Sequence, residues 1–566
     1  MATLGIDLGT TNSACSIWKD GKAILVPNRL GQSITPSVVG LDDDGELLIG
    51  ETAKNRLVSH PKKTTSLFKR YMGTQYSTKL GNKTFSAIEL SSLVLKSLKE
   101  DAEAFLGESI TDAVISVPAY FNDLQRKATK VAGEIAGLNV ERLINEPTAA
   151  SIVYGLHDRS DGAQFLILDL GGGTFDVSLV EYFDGVIEVH ASAGDNNLGG
   201  EDFLMLLVND YLTFTGIKKS SLSANELRQL MHAIEEVKCE LSKEGQCVLE
   251  NVLSKQTAPW KITRERFGEI TQDLLSRLRL PIERTILDAD VELSDIDEVI
   301  LVGGATRMQP FRTLVSKMFR RIPLCNIDPD IVVGLGAGVQ AGLRDNHSDL
   351  DDVVLTDVSP YSLGVEIVNH NEGSSCDGGI FLPIIERNTT VPNSIVKSLC
   401  TVSDNQEFLV VSVFQGESRL VKNNVFLGKL EAKVPRAPAG QESIDVRYSY
   451  DMNGLLEVDI SVPSTGMTYH KAIVNAQISL SDADIFKAKE RLALLKFHPR
   501  EQEENRLLLT KGDRLFESSL GERRDYITQI ISNFEQALEG QNVTEIIQAR
   551  ATFEHQLDGL EESRLF

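Results

Sequence analysis

The sequence predicts a multidomain protein in three parts: an α/β region over residues 1–351, a compact antiparallel β domain over 359–478 and a helical segment over 479–566, with a short connection at 352–358. Three observations lead there. At 566 residues the chain is too long for one hydrophobic core. The periodicity of its apolar residues changes twice along its length. An Asp-Leu-Gly turn occurs twice, about 160 residues apart.

In the first part, β-rich apolar runs alternate with amphipathic stretches, as in Ala113-Val114-Ile115-Ser116-Val117 followed by a helical pattern from Asp123 to Ile135. In the second, period-two segments such as Leu363, Val365, Ile367 and Leu409, Val411, Val413 are separated by the turn signals Asn453-Gly454 and Ser464-Thr465-Gly466. In the third, Ser481-Asp482-Ala483-Asp484 reads as a capping box, Pro499 starts a second helix, and Gly540 ends a third before Asn542 opens a fourth. The connection Asp351-Asp352-Val353-Val354-Leu355-Thr356-Asp357 is apolar between acids, unlike a polar or Gly/Ser-rich tether.

Composition limits the function. The 42% hydrophobic and 24% charged content is that of a folded globular chain. With 57 basic against 81 acidic residues the net charge is −24, which argues against nucleic acid as a partner. No apolar run reaches the roughly 18 residues of a membrane helix, and the N-terminus lacks the features of a signal peptide, so a cytoplasmic protein with no membrane partner is expected. The six cysteines form no C-x-x-C and no zinc site; they read as free thiols, with Cys15 notable for lying near the first Asp-Leu-Gly turn.

The repeat carries the chemistry. Gly5-Ile6-Asp7-Leu8-Gly9-Thr10-Thr11-Asn12-Ser13 is echoed by Ile167-Leu168-Asp169-Leu170-Gly171-Gly172-Gly173-Thr174-Phe175-Asp176. The absent side chains of Gly9, Gly171, Gly172 and Gly173 let backbone N–H groups approach phosphate oxygens, and Thr10, Thr11 and Thr174 add hydroxyls. Asp7 and Asp169 suit Mg²⁺ held through its water shell. Two copies in register imply two similar subdomains facing each other across a cleft.

These hairpins, with Ile144-Asn145-Glu146-Pro147-Thr148-Ala149-Ala150 and Val302-Gly303-Gly304-Ala305-Thr306-Arg307 in the same order, resemble the Hsp70 (DnaK) family over nearly the whole chain, most of all its bacterial HscC-type paralogues. The resemblance implies an actin-like (ribonuclease H-like, duplicated) ATPase domain, a β-sandwich peptide-binding domain and a short α-helical lid, with ATP/ADP, Mg²⁺ and K⁺ as cofactors. It implies a chaperone that captures and releases unfolded client polypeptides, with a J-domain co-chaperone and a nucleotide exchange factor as partners.

Residue by residue, the resemblance makes Lys69, Glu146, Asp169 and Thr174 the hydrolytic shell, and Asp7, Asp169 and Asp176 the Mg²⁺ set. It gives Asn12, Gly199, Gly200, Glu201, Gly303, Gly304, Arg307 and Asp330 to the nucleotide, along with Glu235, Lys238 and Ser242, whose i, i+3, i+7 spacing puts them on one helix face. Pro118 and Arg126 match an interdomain relay, Val353, Val354 and Leu355 the linker, and Arg142 and Asp357 the J-domain contacts. Val365, Ile367, Leu399, Leu409 and Val411 match the peptide pocket, with Val368 and Val402 over the bound chain. An alternating apolar stripe is, by itself, sandwich core.

Departures from the family are Ala305 and Ile331 where Ser and Glu are usual, Thr356 where Leu is usual, and an ending at Leu565-Phe566 with shortened helices after Leu515. The hairpins alone also fit a sugar kinase or a polymerising actin-like protein, and the fold also fits a holdase or exchange factor without hydrolysis. The β domain and linker argue against the first two, and the retained Lys69, Glu146, Asp169 and Thr174 against the last.

Overall fold

The two Asp-Leu-Gly turns end equivalent strands of two similar sheets. In the computed structural model, residues 2–155, 162–183, 186–250, 252–253, 259–345, 347, 350, 354–367, 379–472, 482–493, 503–519, 521–539 and 543–562 are described. Val353, Val368, Cys376, Ser481, Pro499, Gly540, Asn542 and Leu565-Phe566 lie outside them.

In the first sheet Leu4–Asp7 pairs parallel with Asp112–Val117 and antiparallel with Asn12–Lys19. In the second, Ala163–Leu170 pairs parallel with Glu298–Val302 and antiparallel with Phe175–Phe183. The duplication read from sequence is thus a duplication of topology. The central strand of the second sheet is apolar on both faces because it is sandwiched: Leu166 and Leu168 face one core while Phe165 and Ile167 face another.

A glycine-rich helix, Val332–Arg344, joins the two lobes. Glycine is a poor helix former, yet a Cβ at Gly336 would run into the backbone of Ala149, and one at Gly338 into Ser16. The reverse also holds, since a Cβ on Gly5 would strike Ala337. Just past this helix Asp345 accepts hydrogen bonds from the N–H and hydroxyl of Thr3, at 3.0 and 2.6 Å.

The β domain consists of two four-stranded antiparallel sheets, one containing Leu363–Ile367 and Phe408–Gln415, the other Asn393–Cys400 and Ser443–Tyr450. Their inner faces share one core that includes Val365, Val413, Val446 and Val458, and the Tyr448 hydroxyl crosses between them to donate to Gly364 O at 3.0 Å. The turns at Gly454 and Gly466 both have φ of 69°, the left-handed conformation glycine favours.

The connection is more than a tether. Val354–Val358 is a strand that pairs parallel with Val186–Asp195 of the second lobe and antiparallel with Thr390–Val391 of the β domain. The helical segment comprises Asp482–Ala493, Glu503–Glu517, Glu522–Glu539 and Val543–Glu562. The two helices after Leu515 run 18 and 20 residues, so they are not short in themselves. The last three close on Leu515, Phe534, Phe553 and Leu557, with the Phe534 and Phe553 rings stacked at 4.8 Å, while Ala488 and Leu492 of the first join the core of the first lobe.

Candidate functional site

The hairpin tips meet face to face across the cleft. A Cβ on Gly173 would lie 2.6 Å from Thr10 Cγ2, one on Gly172 would strike Thr11, and one on Gly199 would strike the backbone of Gly172 and Gly173. Only glycine permits this approach. Gly9 is equally constrained, its Cβ position being taken by Asn12 O. A cavity of about 500 Å³ opens beside the hairpins, lined from one lobe by Asn12, Pro36 and Lys54 and from the other by Asp328 and Ile331, a volume suited to a nucleotide-sized ligand.

Beneath the hairpins lies a buried charged group. Lys69 Nζ donates to Glu146 Oε1 at 2.8 Å, with both residues buried, and stands 5.5 Å from the centre of the Phe121 ring. Asp7 Oδ1 accepts from Ser116 Oγ at 2.7 Å, and Asp176, opposite Asp169 in the hairpin register, accepts the Tyr120 N–H at 2.8 Å. Burial and then the Glu146 charge push the Asp7 and Asp176 carboxyls up to about 7 and raise Asp169 as well. Asp176 Oδ2 is buried without a hydrogen-bond partner.

Such crowding of carboxylates calls for a cation. The donors are hard oxygens, which fits Mg²⁺. Thr174 is also buried here.

In the second lobe Lys238 Nζ donates to Gly200 O at 3.1 Å and pairs with Glu235 at 2.7 Å, and Arg307 pairs with Asp328 and Asp330 at 2.6 and 3.0 Å. A Cβ on Gly200 would lie 3.2 Å from Ala305 Cβ, and one on Gly304 would strike Asp330, so these elements converge. Gly303 takes φ of 82° against Leu170 O. Glu201, half-buried beside them, has its carboxyl raised by burial and by Glu235.

One expectation needs correction: the helix Ala224–Glu240 ends before Ser242, so Ser242 does not share a helix face with Glu235 and Lys238. Arg264 takes the carbonyls of Leu241 and Ser242, at 2.9 and 3.3 Å, and these bonds compete with further helix. Ser242 lies in the following turn, its N–H bonded to Cys239 O at 3.2 Å.

Sequence reasoning missed Arg70. Its guanidinium reaches Asp202 at 2.5 Å and Gly172 O at 3.5 Å, tying the first lobe to the second hairpin. Its position beside Lys69 was the available signal. Cys15 is buried with its thiol pushed up by burial, away from reactive thiolate character.

Arg126 connects this site to the β domain. It donates to Phe121 O, Ala119 O and Asn145 Oδ1 at 3.1, 3.0 and 2.7 Å, and to Asn453 O of the β domain at 3.3 Å. It therefore grips the loop after Pro118 whose Tyr120 N–H holds Asp176, and the residue before Glu146. Tyr120 also packs on Tyr361 with ring centres 4.2 Å apart. Arg142 and Asp357 line one small cavity with Asn145 and Tyr450; Asp357 accepts from Thr148 Oγ1 at 2.9 Å. Burial raises the Asp357 carboxyl and lowers Arg142.

In the β domain Val365, Leu409 and Val411 are buried in the common core, with Ile367 and Leu399 partly buried against it and Val402 exposed. Leu409 is 8% exposed, against 0% for Val365 and 2% for Val411, and pairs across the sheet with Ala432.

A protein-family model described as "Hsp70 protein" matches residues 3–563. The chain belongs to the Hsp70 family. Hsp70 proteins are ATP-binding chaperones that hydrolyse ATP, with Mg²⁺, and bind unfolded polypeptides. The paired sheets fit the actin-like ATPase of the family, and the strands after residue 358 its β-rich domain. No helix among the described residues is long and apolar enough to cross a membrane.

Proposed function

We propose that this Hsp70 couples ATP hydrolysis between the two hairpins to capture and release of extended polypeptide in the β domain, in the manner of the HscC-type paralogues and in the cytoplasm. Lys69, held by Glu146, positions the attacking water and offsets charge on the phosphoryl group; Thr174 and the glycine amides hold the phosphates. Mg²⁺, when bound, would neutralise phosphate charge, and Asp7, Asp169 and Asp176 are the carboxylates that would hold it. Glu235, Lys238 and Arg307 clasp the nucleoside.

The observation that carries the coupling is the pairing of Val354–Val358 with both the ATPase sheet and the β domain. A shift between the lobes moves a strand that the β domain shares, and Arg126 supplies a second path. A J-domain co-chaperone engaging Arg142 and Asp357 would act at this junction, and a nucleotide exchange factor would act on the ATPase lobes.

Peptide-stimulated ATP turnover tests the reading. Addition of an extended apolar peptide should raise turnover severalfold, and Leu409→Phe, which narrows the proposed pocket, should remove that rise while basal turnover persists. A rate that ignores peptide but responds to a sugar would favour a kinase instead. Turnover absent altogether would favour a holdase.

A further inference from the structure

We propose that the helix Glu503–Glu517 is a strap that ties the two ATPase lobes together over the nucleotide cleft and slows nucleotide exit. The inference rests on the reading of that cleft as the nucleotide site.

Two helices flank the cleft mouth. Glu51–Ser59, from the first lobe, lines the cavity through Glu51 and Lys54. Ala224–Glu240, from the second, carries the nucleoside-side residues Glu235 and Lys238. The two touch each other, and Glu503–Glu517 lies along the first of them.

Its two ends are fastened to opposite lobes. Near its start Arg506 pairs with Asp42 and, at 3.6 Å, with Glu46 of the first lobe. Near its end Arg514 Nη1 donates to His232 Nε2 at 2.6 Å, and His232 is on the helix that carries Glu235 and Lys238.

Arg514 is not a loose surface arginine. It is 5% exposed and also pairs with Glu561 of the last helix, so the guanidinium is fixed within the helical bundle before it reaches His232. Burial and then the Arg514 charge lower the His232 ring to about 3, which keeps Nε2 available as an acceptor at every physiological pH. Glu236, at 3.4 Å, faces Nδ1, and Lys54 stands on the opposite lobe. His232 is half-buried and Arg514 is buried, and a charged donor on a partly shielded acceptor contributes more than a fully exposed ion pair.

A ligand enclosed between two lobes leaves when the lobes part. A helix bonded to both lobes must let go of one of them for that to happen, so its contacts add directly to the barrier for exit. The Glu503–Glu517 contacts lie apart from Lys69 and the hairpins, so hydrolysis itself is untouched.

The test uses the full chain loaded with a fluorescent ADP analogue and Mg²⁺ and chased with excess ATP. His232→Arg sets two cations against each other, and Arg506→Glu reverses the other tether; each should speed release about threefold to tenfold. His232→Glu gives Arg514 a stronger partner and should slow release. Single-turnover hydrolysis should stay at the wild-type rate in all three. The opposite signs at one position are what a merely structural role would not produce. Unchanged release in both His232→Arg and Arg506→Glu overturns the strap while leaving the site reading intact. Failure of the wild-type chain to retain the analogue overturns both.

Discussion

Asp123 and Leu456, 333 positions apart in sequence, are joined by a hydrogen bond of 3.0 Å from the Leu456 N–H to Asp123 Oδ1. The Asp123 N–H in turn donates to Gln415 Oε1 at 3.0 Å. Both atoms of the pair are buried, at the first turn of a helix that reaches the β domain with Leu124.

Asp123→Ala should loosen this docking by about 1–3 kcal/mol, since it strands the Leu456 N–H. In the ATP-bound protein the Val354–Val358 strand should then become open to limited proteolysis. Asp123→Asn keeps the acceptor and should restore protection; if it cleaves like the Ala variant, the hydrogen bond is not what holds the domains.

Lys69→Met keeps the stem but removes the charge. Nucleotide affinity should change little, while single-turnover hydrolysis should slow by about 10²–10³-fold, the scale for loss of one preorganised charge. A single-turnover rate close to wild type would exclude Lys69 from the hydrolytic shell.

The Asp7 and Asp176 carboxyls give the nucleotide-free, metal-free protein a distinctive pH response. The native state holds protons that the unfolded chain has already lost between 3.8 and about 7, so stability should fall as pH rises through that window. Asp7→Asn should flatten this slope and raise the thermal midpoint at pH 7.5, although the same change weakens Mg²⁺-nucleotide binding. A midpoint that rises with pH between 5 and 7 in the wild type would contradict the assignment.

Thr356 lies in the linker strand opposite Glu188, with its hydroxyl buried and without a hydrogen-bond partner. Thr356→Val removes that polar atom at nearly constant shape and should favour the docked strand by about 1 kcal/mol. The expected readout is slower proteolysis of the linker with either nucleotide. Unaltered proteolysis would mean that the hydroxyl costs nothing.

Much of the site is legible in sequence because tight turns demand particular residues. Gly172 and Gly173 cannot be anything else where Thr10 and Thr11 press against them, and so the motif marks the place. The β hairpins at Gly454 and Gly466 are legible for the same reason. The docking surface is not. Asn453 reads as an ordinary turn residue, and nothing local signals that its carbonyl meets Arg126 from 327 positions away. The helix Val332–Arg344 is hidden too, because its glycines argue against helix until Ala149 and Ser16 are seen pressing on it. Ser242 shows the converse, a helical spacing overruled by a side chain, Arg264, from the start of a separate helix.

The bond between Thr3 and Asp345 has a consequence for how the chain is made. The first strand is the centre of the first sheet, yet Gly5 packs on Ala337 and Thr3 is tied down by Asp345. At ribosomal rates of about 5–20 residues per second, those partners emerge about 20–70 s after the N-terminus. For that interval the nascent first lobe lacks one wall of its packing. A chaperone of unfolded polypeptides must itself wait, through its own synthesis, with this strand uncovered.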